Sequence, residues 1–487
     1  MAKTIVTYNG SKIASLEQGQ TAILKCANNE LEHDIVISAK ADEGGYLTFS
    51  SPSSFTLSVA DNKKYWDGTL EYSTDTDDWS VWNGTDVLTA DEGKLYLRGT
   101  NNTLITGENV GLSKGVWKLD GSNISISGNI ENLLDYKTVA NGNHPTMADH
   151  AFYALFAHPE SSPNQSITNI QGISFSTMLA NYCYSYLFSH CEGFTTAPSL
   201  PAMTLAEGCY QGMFAYCKNL TTAPSLPATT LAYACYANMF KECDNLTTAP
   251  PSLPAMTAAE RCCYGMFLNC KNLITAPSLP AMTLATECYF YMFAYCESLT
   301  TAPPSLPATT LAESCCYGMF WGCKNLTTAP SLPAMEMAKE CYASMFMACE
   351  NLTTAPSLPA MTLAEGCYSN MFSHCKNLIT IPKLPAIKLE STCYSHLFHN
   401  CAKIRLSSTK TSEYATAYRI PESGTGTTAS YALESMFEET GGTFVGTPSI
   451  NTTYYTSNEV VYEVENPDIP SNYGKITYNQ DRSILVS

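Results

Sequence analysis

Nine copies of one cysteine-bounded block, C-Y-x-x-M-F-x-x-C, occupy the middle of this 487-residue chain. Their first cysteines are Cys183, Cys209, Cys235, Cys262, Cys288, Cys315, Cys341, Cys367 and Cys393, at spacings of 26, 26, 27, 26, 27, 26, 26 and 26 residues. Both longer intervals hold one added proline, in Pro250-Pro251 and Pro303-Pro304. A fixed period of this length marks a repeat architecture. One unit cannot bury its own apolar face, whereas stacked units bury a shared one.

In the unit from Thr204, Leu205, Ala206, Cys209, Tyr210, Met213, Phe214 and Cys217 fall at i, i+1, i+4, i+5, i+8, i+9 and i+12. Taken as one face of a 3.6-residue turn, they predict an amphipathic helix about three turns long. Thr204 is its expected N-cap, and Glu207 completes a capping box that recurs at Thr257/Glu260, Thr310/Glu313 and Thr362/Glu365. Asn219, repeated as Asn245, Asn272, Asn325, Asn351 and Asn377, is the expected left-handed stop. Leu220–Ala223 predicts a short strand, and Pro224-Ser225-Leu226-Pro227 a stiff corner. The expected fold class is α+β: a leucine-rich-repeat-like solenoid with a strand and a short helix in each 26-residue coil. Nine coils at ~4.8 Å per strand would run about 40 Å.

Two further patterns support stacking. The residue after the closing cysteine runs Glu192, Lys218, Asp244, Lys271, Glu297, Lys324, Glu350, Lys376, alternating in sign. In a parallel stack this makes a ladder of opposite charges that specifies register more than stability. Capping boxes and the doubled cysteines Cys262-Cys263 and Cys315-Cys316 recur every second coil, so the duplicated unit spans two coils. Ala151–Phe156 and Ala432–Phe437 echo the block without cysteine, as terminal caps should.

Four domains are expected: a small β anchoring module over 1–40, a β-sandwich over 41–135, the capped solenoid over 146–440 and a β-rich tail over 441–487. The anchoring module rests on Thr4–Tyr8, Asn9-Gly10, Ile13–Leu16 and Thr21–Lys25. The sandwich rests on short alternating segments around Trp66, Trp79, Trp82 and Trp117. In the tail, Glu459–Val464 is strand-like.

The formal charge of −18 excludes a general nucleic-acid binder and disfavours anionic membrane surfaces. No run of about 18 apolar residues predicts a membrane span. Met1–Val6 opens no secretory leader. The expectation is therefore a mature form, or a chain that leaves the cell by another route such as a virus particle.

Twenty of the 21 cysteines lie between Cys183 and Cys401. On a helix, the two of one block would be about 12 Å apart in rise, too far for a disulfide. Their spacing also misses the short C-x(2–4)-C zinc pattern. Ladders of small buried hydrophobes are the leading reading, with cross-coil disulfides and metal as alternatives. His190, His374, His396 and His399 are read as surface residues, and Asp75, Asp77 and Asp78 as a solvated turn or a weak calcium site. No catalytic residues, cofactor or metal ligands are singled out. The two residues before each closing cysteine vary most between coils. They make Tyr216, Tyr295, Trp321, Met347, His374 and His399 the candidate recognition surface, against a drifting solvent face as the alternative.

The repeated L-T-x-A-P-x-L-P-A-x-x-L-A-x-x-C-Y-x-x-M-F-x-x-C-x-N resembles the BspA-type leucine-rich repeats of bacterial surface proteins over roughly residues 146–440. It departs from them in its C-Y-x-x-M-F core and its added prolines. The resemblance implies a right-handed solenoid, adhesion to host proteins or cell surfaces, and no catalytic residues. Thr7-Tyr8-Asn9-Gly10-Ser11-Lys12-Ile13-Ala14 is similar to N-terminal modules of phage virion proteins, which implies anchoring to other virion proteins. The expected function is non-enzymatic binding to a host-surface protein or glycan, displayed on a virion as a fibre or decoration protein, without membrane insertion. The alternative is a bacterial cell-surface or secreted adhesin. Trimers are common among virion fibres, but no heptads argue for a homo-oligomer here.

Overall fold

Where each backbone N–H finds its acceptor separates two kinds of structure in this protein. The structure is a computed structural model. It describes residues 45–91, 93–107 and 115–457, together with the backbone of several outlying strands. Four of these are β1 (Lys3–Tyr8), β2 (Ser11–Glu17), β3 (Thr21–Leu24) and β4 (Ile35–Ser38), paired antiparallel as β1–β2 and β3–β4. The others are Thr477–Tyr478 and Ile484–Leu485. Asn9-Gly10, Cys26 and the expected strand Glu459–Val464 lie outside the described residues. The chain divides into one unit of Met1–Cys183 with Cys191–Ala202, and another of Tyr184–His190 with Met203–Ser487.

In the first unit the N–H groups pair between extended strands. The strands are β5 (Leu47–Ser51), β6 (Phe55–Val59), β7 (Thr69–Ser73), β8 (Ser80–Trp82), β9 (Leu88–Ala90), β10 (Gly93–Thr100), β11 (Trp117–Asp120), β12 (Ile124–Asn129) and β13 (Ile167–Ser174). One sheet has the order β13-β12-β5-β10-β7-β8, and a second has β11-β6-β9. Only β12–β13 is parallel among these pairs. Leu47, Phe49 and Ser51 on β5, like Phe55, Leu57 and Val59 on β6, alternate with half-exposed residues. This is the period-two pattern of sheets with one buried face. Phe49 of the larger sheet lies 6.3 Å from Trp117 of the smaller, and Trp82 lies 5.6 Å from Trp117. Among the described residues the one α-helix is Asn132–Ala140, broken at Asp135 where φ is −152°.

Most of the second unit is a stack of coils that bridge in parallel one repeat apart, and it also holds an antiparallel sheet of Leu406–Ser407, Thr453–Ser457 and Tyr414–Arg419. Thr222, Thr248, Thr275, Thr301, Thr328 and Thr354 form one continuous row of bridges. Thr204–Thr230, Thr257–Thr283–Thr310 and Glu336–Thr362 belong to another. The expected strand is thus reduced to a residue or two per coil.

The expected helix in each coil is absent. The block is instead a run of four-residue turns whose N–H groups alternate in direction. The N–H of Tyr210, Gly212, Phe214 and Tyr216 donate to Cys235, Ala237, Met239 and Lys241 of the next coil at 2.7–3.0 Å. Those of Gln211, Met213 and Ala215 donate three residues back, to Gly208, Tyr210 and Gly212, at 3.0–3.2 Å. Every fourth residue closes a turn in the left-handed region: Gly208, Gly212 and Tyr216 have φ of 54°, 57° and 62°. Ala234, Asn238 and Glu242 repeat this in the next coil, and Arg261, Gly265 and Asn269 in the one after.

An α-helix would spend every N–H inside itself. The turn run leaves half of them for the neighbouring coil. A left-handed non-glycine residue costs about 1–2 kcal/mol. Two inter-coil hydrogen bonds per turn, at ~1 kcal/mol each, offset that cost. Burial of a large side chain, at ~1.5–3 kcal/mol, adds to the gain.

The supposed caps change role accordingly. Thr204, Thr257, Thr310 and Thr362 are bridge residues. The repeated asparagines bond across coils, with Asn245 Nδ2 donating to Asn219 Oδ1 at 3.4 Å and Asn351 Nδ2 to Asn325 Oδ1 at 3.1 Å. Each turn buries an adjacent pair, so Cys209-Tyr210, Met213-Phe214 and Cys217 all face inward. The phenylalanines stack from Phe188 to Phe437, with centroids 5.4–5.9 Å apart.

Candidate functional site

The outward positions of the turn run carry the variation between coils. After the first cysteine a tyrosine usually points inward, as Tyr210, Tyr236 and Tyr289 do. In two coils Cys263 and Cys316 take that buried place, and the tyrosine moves one position outward, to Tyr264 and Tyr317. Phe290 occupies the same outward position in the coil between them. The three rings stack face to face, Tyr264–Phe290 at 5.0 Å and Phe290–Tyr317 at 4.9 Å.

A second group lies beside them. Tyr291 sits 4.4 Å from Phe290 and 5.7 Å from Trp321, and Tyr295 sits 5.8 Å from Trp321. Glycines make the room. A Cβ on Gly318 would fall 2.3 Å from the Tyr291 ring, and one on Gly322 would fall 2.7 Å from the Tyr295 ring. Both glycines are also left-handed turn residues, at φ 56° and 72°. Tyr295 is exposed, and the other five aromatics are half-buried. Burial, then the neighbouring Tyr317, pushes the Tyr291 phenol up to about 12. The Arg261 guanidinium caps the row 5.6 Å above Tyr264, held by Glu287 at 2.6 Å. The outcome is a patch of six aromatic rings edged by one cation, suited to stacking on flat apolar faces and to cation–π contact.

The residues singled out from sequence fall into separate places. Tyr295 and Trp321 meet in this patch. Tyr216 stacks on His190 at 4.3 Å, with the Lys241 ammonium 5.5 Å from its ring centroid. His374 and His399 lie 5.4 Å apart, and Asn400 Nδ2 is 2.9 Å from His374 Nδ1. Met347 is half-buried in another coil. Sequence reasoning missed Tyr264, Phe290, Tyr291 and Tyr317. The doubled cysteines were the available signal, because each displaces a tyrosine outward.

The cysteines of the ladder, Cys183 through Cys393, are buried thiols, as are the closing cysteines Cys191 through Cys401. Among the described residues no group of three or more histidine, cysteine or acidic side chains is placed to hold a metal ion. Asp75 accepts hydrogen bonds from the Asp77 and Asp78 N–H groups at 2.9 and 3.1 Å, closing that acidic run into a turn. Among the described residues no helix is long and apolar enough to cross a membrane.

No family model and no curated protein matches the chain. It is similar to two solved structures. One is a leucine-rich repeat protein from Bacteroides ovatus, at 17% identity over 48% of this chain, with a TM-score of 0.26. The chain spans 63% of that protein's length. The other is a leucine rich cell surface protein from Faecalibacterium prausnitzii, at 14% identity over 70% of this chain and 93% of the other, with a TM-score of 0.25. At these TM-scores the likeness carries neither the fold nor the function of those proteins across to this chain.

Proposed function

We propose that this chain is a non-enzymatic adhesin of the bacterial surface, a leucine-rich-repeat-like solenoid preceded by a β-sandwich, that binds a host-surface protein or glycan through its aromatic patch. The patch formed by Tyr264, Phe290, Tyr291, Tyr295, Tyr317 and Trp321 carries the reading. Monomeric surfaces rarely leave several large rings together without a partner, and aromatic anchors dominate binding energy at interfaces. The resemblance of the repeat to those of bacterial surface proteins supports the setting. Virion display, the other setting expected from the N-terminal pattern, has no support in the comparisons.

The test is binding of the full chain to glycan and host-protein arrays, followed by the double variant Tyr295→Ala/Trp321→Ala. Tyr295 is exposed and Trp321 only half-buried, so the variant should stay folded and lose roughly tenfold or more in affinity. Undiminished binding by the double variant would overturn the patch. Failure of the intact chain to bind any array member would overturn adhesion.

A further inference from the structure

Most of the sulfur among the described residues is sorted into two environments, with Met147 and Met347 half-buried between them. The block methionines, from Met213 through Met292 to Met371, are fully buried, and so are the twenty described cysteines. Burial raises the thiol pKa at Cys243, Cys296 and Cys349 and suppresses the reactive thiolate there. A second set of methionines lies one residue before a bridging residue, at the same place in each coil. Met203, Met256, Met282, Met335 and Met361 are between 41% and 56% exposed. Thr229 and Thr309 take this place in two coils, and the exposed Ile387 continues the row.

The backbone locks the row in register. Thr229 N–H donates to Met203 O at 3.0 Å, Met282 N–H to Met256 O at 2.9 Å, Thr309 N–H to Met282 O at 3.2 Å, and Met361 N–H to Met335 O at 3.0 Å. The result is a one-residue-wide, mostly apolar row of thioethers along the coils, interrupted by Thr229 and Thr309. Packing does not explain it, since these side chains fill no core.

We propose that this row is an oxidant-responsive modification site, in which each thioether accepts one oxygen atom from a two-electron oxygen donor such as a peroxide or a hypohalous acid. With hydrogen peroxide, the methionine sulfur supplies an electron pair to one peroxide oxygen. The O–O bond breaks, an S=O bond forms, and the other oxygen leaves as water. Sulfur is oxidised by two electrons and peroxide is reduced by two. The product is a polar sulfoxide that a sulfoxide reductase can return to thioether. Five sulfoxides turn this mostly apolar row polar, while the buried sulfurs that hold the coils together are spared. The surface thus changes character without the fold changing.

The experiment exposes the full-length protein to dilute hydrogen peroxide, quenches it at intervals, and maps the gain of about 16 Da per site by peptide mass spectrometry. The five exposed methionines should convert roughly tenfold or more faster than the row from Met213 to Met371, which reacts only through local opening. The cysteines should stay reduced, and the melting temperature of the fully converted form should match that of the untreated protein. A variant with all five replaced by leucine keeps those positions apolar and should lose the fast phase there, while Met178, which is exposed outside the row, still reacts. Equal rates for buried and exposed methionines, cysteine oxidation ahead of methionine, or unfolding on conversion would each overturn the proposal.

Discussion

The Cys270 thiol donates to the Phe240 carbonyl, one coil back, at 3.0 Å, with both residues fully buried. The same carbonyl accepts the Cys243 N–H of its own turn at 3.1 Å. Both lone pairs of the oxygen are therefore used. The relation recurs as Cys217 to Phe188, Cys323 to Phe293 and Cys401 to Phe372, at 3.0–3.1 Å. The closing cysteine is thus a small apolar filler that also supplies a donor, which alanine cannot do. Cys270→Ala should cost about 1–2 kcal/mol, from a small cavity and a half-satisfied acceptor. Denaturant unfolding would read this as a lower midpoint at unchanged slope. No shift would mean that the S–H contact contributes nothing.

Thiol chemistry should follow burial. Desolvation pushes the Cys367 and Cys401 thiols up to about 12 and raises those of Cys296 and Cys323 as well. At about pH 8 the folded protein should give almost no reaction with a thiol reagent over minutes. After unfolding without reductant, the cysteines from Cys183 to Cys401 should all react as free thiols. Few thiols in the unfolded sample would point to disulfides.

The repeat, its register and its buried face were legible in the sequence, because spacing alone specifies which residues recur. The alternating charges form the expected cross-coil pairs at Lys271–Asp244, Lys324–Glu297 and Lys376–Glu350. The helix expectation fails because i, i+1, i+4, i+5, i+8, i+9 also satisfies a loose 3.6-residue template. The true period is four. On an α-helix, Cys209, Met213 and Cys217 would drift ~40° at each step. A stripe that stays strictly four residues apart signals four-residue turns. The left-handed residues were hidden because most are not glycine: Asn238, Glu242, Tyr291 and His374 all lie there, at φ 53–63°. The aromatic patch was half legible. Tyr295 and Trp321 stand out as variable residues, but their nearness to Tyr291 depends on room left by Gly318 and Gly322 one coil away.

Far-UV circular dichroism separates the two readings directly. Nine three-turn helices would give a strong helical double minimum, whereas the turn run should give none beyond the small share from Asn132–Ala140.

Ala348 tests the left-handed position without side-chain complications. It closes a turn at φ 57° and is half-buried. Ala348→Gly removes the Cβ clash and should stabilise by about 0.5–1 kcal/mol, net of the extra entropy glycine gives the unfolded chain. Ala348→Val should destabilise by about 1–2 kcal/mol. A helical residue would give the opposite order, with glycine as the worse substitution. The melting temperatures of the two variants decide it.

Lys324 pairs with Glu297 at 2.7 Å while both side chains are about half-exposed. Lys324→Glu would put a third carboxylate between Glu297 and Glu350, so that three consecutive coils carry the same charge at this position. The melting temperature should fall more at low salt than at high salt, where screening over about 10 Å or less weakens the repulsion. An equal loss at both ionic strengths would mean that the ladder acts through packing rather than charge.

His374 gives the pH dependence a definite sign. Burial first, then the neighbouring His399, holds its pKa below the ordinary value, with Lys376 acting in the same direction and Glu439 opposing. Asn400 Nδ2 at 2.9 Å from Nδ1 fits the neutral ring. As pH falls below about 6.5, the unfolded chain takes up the proton before the folded one does. The stability contribution of the neutral ring is therefore complete above that pH, declines as pH falls through the folded pKa, and is gone below it. Melting temperature measured from about pH 7 down to pH 5, above most carboxylate titration, should drop. His374→Gln keeps a polar partner for Asn400 but cannot titrate, and it should flatten that slope. A variant slope as steep as that of the parent would assign the pH dependence to other groups.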